Sequence, residues 1–591
     1  MTAPVTTSAT QAGSPPLSAA GLIERHSPTL DRALEAIGSR DYWSPHPEHP
    51  KAYGDDSAIA GSLSAGQGQA AFDALRGGRF EIGGQPGAAG PQGGWVSTEV
   101  SPYGLELGIE YPRPDLDVLL PEMRKAMPAW REAGPRLRAA VCLEILARIS
   151  ARTHEFAHAV MHTSGQAFMM AFQAGGPHAQ DRGMEAVAYA YAEQVRTPEA
   201  AAWSKPQGKR EPLELSKRFT AVGRGVSLLI GCNTFPTWNG YPGFFASLAT
   251  GNPVLVKPHP RAVLPLALTV RIAREVLTEA GFEANLVALA AEREGEGIAK
   301  ELAVRPEIRI IDYTGSTSFG DWLESNARQA RVFTEKAGVN TVVIDSTDDY
   351  KGMLGNLAFS LSLYSGQMCT TPQNLLIPRN GISTDAGEKS YDEVVADLAT
   401  AVGKLLGDDA RANAILGAIV SQQVRERVES AASLGEVALE SRSVEHPDFP
   451  GAQVRTPVIV KLDFAKPESQ AACFSECFGP VSFAVAVDST EDAVALLRRT
   501  VREKGAMTVG AYTTSPVAER LVEDACMDEC AQLSLNLTGG VYVNQTAAFS
   551  DFHGSGGNPA ANAALCDGAF VADRFRTVEV RRPAESASAD G

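Results

Sequence analysis

Leu137, Val141, Ile145 and Ile149 recur at steps of four, which places them on one face of a helix, with Arg136, Arg138, Glu144, Arg148 and Arg152 on the others. This helical pattern extends over 118–161. From Phe219 onward the pattern changes to short apolar runs alternating with amphipathic ones. Strands are expected at 253–257, 286–291 and 308–313, with helices at 265–280 and 319–329. After residue 373 the alternation resumes, with strands at 374–377, 458–462, 481–487 and 508–512 and helices at 391–406, 422–432 and 490–498. Two α/β units with parallel sheets follow from this, with ligands expected at the carboxyl ends of the strands. The stretch 575–582 alternates with period two, as an exposed strand does.

The remaining segments are punctuated by composition. Residues 1–20, rich in Thr, Ser, Ala and Pro, read as a disordered leader, and 21–82 holds only short amphipathic pieces. The glycine- and proline-rich run 83–94 reads as a loop or linker. The expected division is an N-terminal extension at 1–105, partly disordered, a dinucleotide-binding domain at 106–336, a thiol-bearing catalytic domain at 337–548 and a C-terminal segment at 549–591.

At 591 residues, 44% apolar and 21% charged, the chain has the make-up of a globular protein of more than one domain. Its net charge of −17 argues against nucleic acid or an anionic membrane as a partner. No apolar run is long enough for a membrane span and the N-terminus lacks secretory features, so a cytoplasmic location is expected. Eight scattered cysteines suit reduced thiols rather than a disulfide framework. Cys473 and Cys477, and Cys526 and Cys530, have the spacing of zinc half-sites but no partner pair nearby.

The candidate chemistry centres on Ser365-Gly-Gln-Met-Cys369-Thr-Thr-Pro372, where Gly366 and Pro372 break regular structure around a cysteine and leave it exposed as a nucleophile. Glu335, well upstream in Glu335-Lys-Ala-Gly338, can join it only through folding. A thiol with a distant carboxylate suggests covalent catalysis with a water-activating base. His154-Glu-Phe-Ala-His158 matches the zinc-peptidase pattern HExxH, but the extended form fails at Met161 and Ser164, and no metal site is expected.

These motifs, with Glu476-Cys-Phe-Gly-Pro480, resemble in order and spacing those of the aldehyde dehydrogenases across about residues 110–585. The wording of 230–242 and the long N-terminal extension are most similar to the N-type members of phenylacetate degradation. The resemblance implies a Rossmann-type cofactor domain, an α/β catalytic domain and a small oligomerisation arm, in a dimer or tetramer whose late strand joins a neighbouring subunit. It implies oxidation of a small-molecule aldehyde, such as a ring-cleavage semialdehyde carried as a coenzyme A thioester, with Cys369 as nucleophile and Glu335 as base. A CoA-acylating enzyme and a non-catalytic scaffold are the alternatives, with a zinc hydrolase built on His154 and His158 third, and Glu335 speaks for hydrolysis of the thioester over CoA acylation. The oxyanion donor is expected from Asn233, with Asn239 as second candidate. Lys257 would meet the adenosine ribose, Gly315, Ser316 and Gly320 the pyrophosphate turn, and Glu476, with Phe478 beside it, the nicotinamide ribose. Pro260 stands where many NAD-preferring relatives carry an acid, so NADP or NAD is expected as the cofactor, with NADP tolerated and a preference for it open.

Overall fold

The computed structural model describes residues 17–584, apart from 56, 60, 88–93 and 98. Most of the expected leader and the middle of the 83–94 run thus lie outside the described residues.

Within 21–82, where the sequence pattern shows only fragments, Ala19–Ser39 forms one helix of 21 residues, started by the Ser18 hydroxyl accepting from the Gly21 N–H. Its buried Leu22, Leu30, Ala33 and Ala36 share a core with helices Gly134–Ser150 and Ala179–Val195. Polar residues interrupt its apolar period because they are used inside. His26 and Arg25 lie 2.8 and 3.0 Å from Glu144 Oε2.

Helices Leu116–Glu132, Gly134–Ser150 and Thr153–Ser164 occupy the expected helical stretch. The middle one has less solvent-facing surface than its period implies. Arg138 is fully buried, donating to the carbonyls of Trp130, Arg131 and Ala249 and to Gln194. Periodicity locates an apolar stripe but does not count the neighbours a helix has, and here the N-terminal helix and Ala179–Val195 pack on further faces.

The first large sheet contains Val226–Ile230, Val254–Lys257, Val287–Leu289, Ile308–Thr314 and Arg331–Glu335, all parallel, in the spatial order third, second, first, fourth, fifth. The order reverses between the first and fourth strands, where Ile230 lies beside Tyr313. Neighbouring connections leave in opposite directions there, opening a crevice beyond the strand ends. The second sheet runs Glu436–Leu439, Val458–Asp463, Val481–Val487, Asn374–Pro378, Thr341–Ile344, Val509–Tyr512 and Leu533–Leu535, parallel except for its first strand.

A third, antiparallel sheet places Phe575–Pro583 and Ala200–Gln207 on either side of Arg210–Gly223. The late strand pairs along its whole length with Arg210–Gly223, from Phe575 opposite Gly223 to Pro583 opposite Leu215, and forms an edge of this sheet. The reason lies one residue earlier. Arg574 is fully buried, its carbonyl accepting from Asn252 at 3.0 Å and its guanidinium gripping Asp312, which delivers the next residue beside Gly223. Between the second sheet and this strand, a strap of chain returns to the first lobe. In it His553 and Leu565 exchange two backbone hydrogen bonds of 2.9 Å, and Asn562 pairs with Thr334.

Candidate active site

The loop after helix Tyr350–Ser362 holds three successive left-handed residues, Tyr364 (φ 53°), Ser365 (φ 51°) and Gly366 (φ 62°). Each non-glycine residue in this region costs roughly 1–2 kcal/mol and needs compensation. The Tyr364 hydroxyl donates to the Ser164 carbonyl, and the Ser365 hydroxyl to those of Gly417 (3.0 Å) and Arg455 (3.1 Å). At position 366 a Cβ would lie 2.5 Å from the Gly479 carbonyl oxygen, so only glycine fits against the 476–480 motif. Gln367 braces the turn, accepting from Val420 N–H at 2.9 Å and donating to the carbonyls of Tyr364 and Ala418. The Asn340 amide donates to the Cys369 carbonyl at 2.7 Å and to that of Thr371 at 3.1 Å. The outcome is a thiol presented to a cavity of about 680 Å³, walled by Met169, Met170, Phe235, Trp238, Phe359 and Tyr542 among others.

Glu335 ends the last strand of the first sheet, and folding brings it to Cys369. Ligand atoms of Glu335, Cys369 and His553 lie within 4.8 Å of one another. The Cys369 Sγ to His553 Nε2 distance is 3.7 Å, and His553 Nε2 is 3.2 Å from Glu335 Oε1, an ion-pair distance without an aligned hydrogen bond. The Asn239 amide donates to Glu335 Oε2 at 2.9 Å. Burial, and then the charge of Glu335, push the Cys369 thiol well above the usual range. Burial also pushes Glu335 upward, but a positive charge on the adjacent His553 and the polar contacts of His553, Cys369 and Asn239 outweigh it and hold the carboxyl below its ordinary value.

The two asparagines exchange their expected ranking. Asn233 lies ahead of helix Pro236–Ala249 and spends its amide on the Thr163 carbonyl at 3.0 Å, whereas Asn239, one turn into that helix, lines the cavity beside Cys369. The HExxH residues belong to packing. His154 and His158 lie against Phe168, with Phe172 and Phe72 respectively as further ring neighbours, and Glu155 pairs with Arg152 and Arg271.

Of the expected nucleotide residues, Lys257 ends a strand of the first sheet and Gly315 and Ser316 follow another, whereas Glu476 and Phe478 precede strand Val481–Val487 of the second sheet. Gly315 and Ser316 connect strand Ile308–Thr314 to helix Thr317–Asn326, whose first turn receives no side-chain cap. Its N–H groups are therefore available to an anion. Gly320 differs from expectation. It lies inside that helix, where a Cβ would strike the Lys336 stem at 2.6 Å, so it serves packing. Lys257 ends its strand buried and paired with Glu292, whose other oxygen accepts from Ile298 N–H at 2.8 Å. Glu292 went unnoticed in the sequence because it follows a different strand. It puts an acid beside Lys257 although Pro260 does not. Glu476 is pushed up to about 7 by burial, opposed by Arg427 and the Gly338 N–H, and Arg427 also donates to the Phe478 carbonyl at 3.1 Å. His553 also escaped notice, as a lone histidine in the glycine- and serine-rich run 552–557.

The chain is similar to several known proteins. A solved structure of an NAD-dependent aldehyde dehydrogenase from Burkholderia multivorans is 53% identical and superposes with a TM-score of 0.91 over 95% of this chain and 98% of that one. A succinate-semialdehyde dehydrogenase from Paenarthrobacter nicotinovorans is 25% identical over 447 residues, 73% of this chain and 89% of the relative. A 1-pyrroline-5-carboxylate dehydrogenase from Bacillus licheniformis is 25% identical over 393 residues, 64% of this chain and 69% of that one. The model of the aldehyde dehydrogenase family matches residues 110–558, a span that contains the cysteine loop, Glu335 and His553 alike, and the chain belongs to that family.

Proposed function

We propose that the chain oxidises an aldehyde to a carboxylic acid with a nicotinamide dinucleotide, through a thiohemiacetal and then a thioester on Cys369. The observation that carries this reading is the meeting of Glu335 with Cys369, which lines the large cavity. The uncapped turn after Ser316, Lys257 with Glu292, and Glu476 form a donor and acceptor set that fits pyrophosphate and two riboses. When bound, the nicotinamide supplies the hydride acceptor. Cys369 attacks the carbonyl carbon, and the Asn239 amide and the Cys369 N–H are the donors nearest the developing oxyanion. Glu335 then takes a proton from water, the new C–O bond forms, and the C–S bond breaks to release the acid.

The buried Glu292 carboxylate beside Lys257 supports NAD over NADP, because a 2′-phosphate there would meet a fixed negative charge. For the aldehyde itself, the narrower proposal is a ring-cleavage semialdehyde of phenylacetate degradation. Aromatic and methionine side chains on the cavity wall suit an apolar ring or chain. Among the described residues its charged lining includes Glu48, Asp181 and Asp551 and no lysine or arginine, which favours a free semialdehyde over the phosphorylated end of coenzyme A. The three-stranded sheet, with Leu213 50% and Val578 49% exposed, is the surface proposed to meet a second copy in a homo-oligomer.

The test is Glu335→Gln in a stopped-flow assay with a panel of aldehydes. The nucleotide-reduction burst should survive while steady turnover falls about 10²–10⁴-fold. No nucleotide reduction by the unaltered protein with any aldehyde, or equal turnover in the variant, would overturn the reading.

A further inference from the structure

The reaction leaves one proton unassigned. The Cys369 thiol is enclosed, and the nearest carboxylate makes its ionisation harder. His553 Nε2 is within hydrogen-bond reach of the sulfur at 3.7 Å and faces Glu335 Oε1 at 3.2 Å, with the imidazole 3% exposed. We propose that His553 is a catalytic residue: its Nε2 takes the thiol proton, and the resulting imidazolium stands between the Cys369 thiolate and the Glu335 carboxylate. This extends the covalent reading given above and rests on it.

The ring is placed rather than free to drift. Trp238 meets it edge-on at 4.6 Å between centroids, and the Arg182 guanidinium lies over that indole at 5.3 Å. Arg182 also donates to the carbonyls of Asp551 and Leu565, fastening the strap on both sides of His553, while Glu185 accepts from the Phe549 N–H at 3.0 Å. The charged and titratable groups around the imidazole include Glu335 from the first sheet, Cys369 from its loop, Arg182 against Trp238, and Asp551, Asp181, Glu48, His178, Tyr42 and Tyr542 on the wall of the shared cavity.

The step balances. The S–H bond breaks and an N–H bond forms at Nε2, after which the thiolate adds to the carbonyl carbon. Hydride leaves for the oxidised nicotinamide, yielding a neutral thioester with His553 still protonated. In deacylation Glu335 receives the water proton, and the thiolate is expelled toward the same imidazolium, so the histidine keeps its proton from one turnover to the next. Glu335 and the product acid each release a proton to solvent. A cation that stabilises the departing sulfur in the second half also explains how a buried carboxylate remains ionised beside a thiol.

The test needs neither aldehyde nor nucleotide: the second-order rate of Cys369 alkylation by iodoacetamide, read by mass spectrometry of the Cys369 peptide from pH 5 to 10. An ordinary thiol reacts as its proton leaves near a pKa of about 8.5. Burial and Glu335 push the thiol upward, so appreciable reactivity of the unaltered protein below that range requires the thiolate–imidazolium pair with His553. In His553→Gln, judged folded by an unchanged melting temperature, the rate at pH 7 should fall about 10- to 100-fold and the profile should shift to higher pH. An unchanged rate and profile in that variant overturns the proposal. If the variant fails to fold, the unaltered protein decides: a profile that begins to rise only above about pH 9 refutes the ion pair. Because the readout is alkylation, a failed proposal for His553 is distinct from a protein that oxidises no aldehyde.

Discussion

Removing the guanidinium at position 574 tests how the C-terminal segment is anchored to the nucleotide-side sheet. Arg574 donates from Nη1 to Asp312 Oδ2 at 2.8 Å, from Nη2 to Oδ1 at 2.6 Å, from Nη1 to Ser247 Oγ at 2.7 Å and from Nε to the Phe570 carbonyl at 3.0 Å. Its guanidinium lies 4.3 and 4.0 Å from the ring centres of Phe333 and Phe570. In Arg574→Met the Asp312 carboxylate, 9% exposed, would keep only a 3.5 Å contact from Ser227. Breaking one side of such a buried pair costs about 3–5 kcal/mol, or roughly a hundred- to several-thousand-fold in the equilibrium of this lobe. Adding Asp312→Asn to the variant removes the stranded charge and should recover at least half of that loss. Because so large a chain need not unfold in one step, hydrogen exchange on peptides covering 308–314 and 575–583 in a urea series reads the effect locally. Gly243, on the helix that carries Asn239, packs so closely on Asp312 that a Cβ there would lie 2.5 Å from its carboxyl carbon, so turnover should fall with stability. A cost below about 1 kcal/mol for Arg574→Met, or no recovery on adding Asp312→Asn, would refute the claim that this pair sets the docking of the segment.

Other expectations follow from the same contacts. Asn239→Ala should lower kcat by about 10²–10³-fold in steady-state assays, as loss of an oxyanion donor does, whereas Asn233→Ala should cost about 1 kcal/mol in a melting experiment and leave kcat nearly unchanged. Glu292→Gln should raise kcat/KM for NADP relative to NAD by about tenfold, measured at 340 nm with both nucleotides. Glu144 is lowered to about 2 from an ordinary 4.5, chiefly by its hydrogen bond with His26, so its contribution is complete above pH 4.5 and is lost as the pH falls toward 2. Exchange protection of Ala19–Ser39 should decline across that interval, and Glu144→Gln should lower it already at neutral pH and flatten the decline.

The sequence by itself determined the strands and helices of the two sheets' repeating α/β pattern and the cysteine loop. Runs such as Val481–Val487 and Val254–Lys257 are strands because every residue in them is buried on a sheet covered from both faces, a pattern that needs no knowledge of neighbours. The Gly366 and Cys369 loop was legible because its constraint is local: a left-handed turn pressed on a backbone carbonyl admits only glycine. The tertiary structure alone decided whatever depends on which segments meet. Residues 19–39 become a core helix because Glu144 supplies a buried partner for His26 and Arg25. Asn239 displaces Asn233 at the cavity through its place one turn into a helix. Glu292 reaches Lys257 from another strand, and His553 reaches Cys369 on a strap that crosses between lobes. Distance along the chain carries no information about such meetings, since the free energy that secures them comes from contacts between elements and not within them.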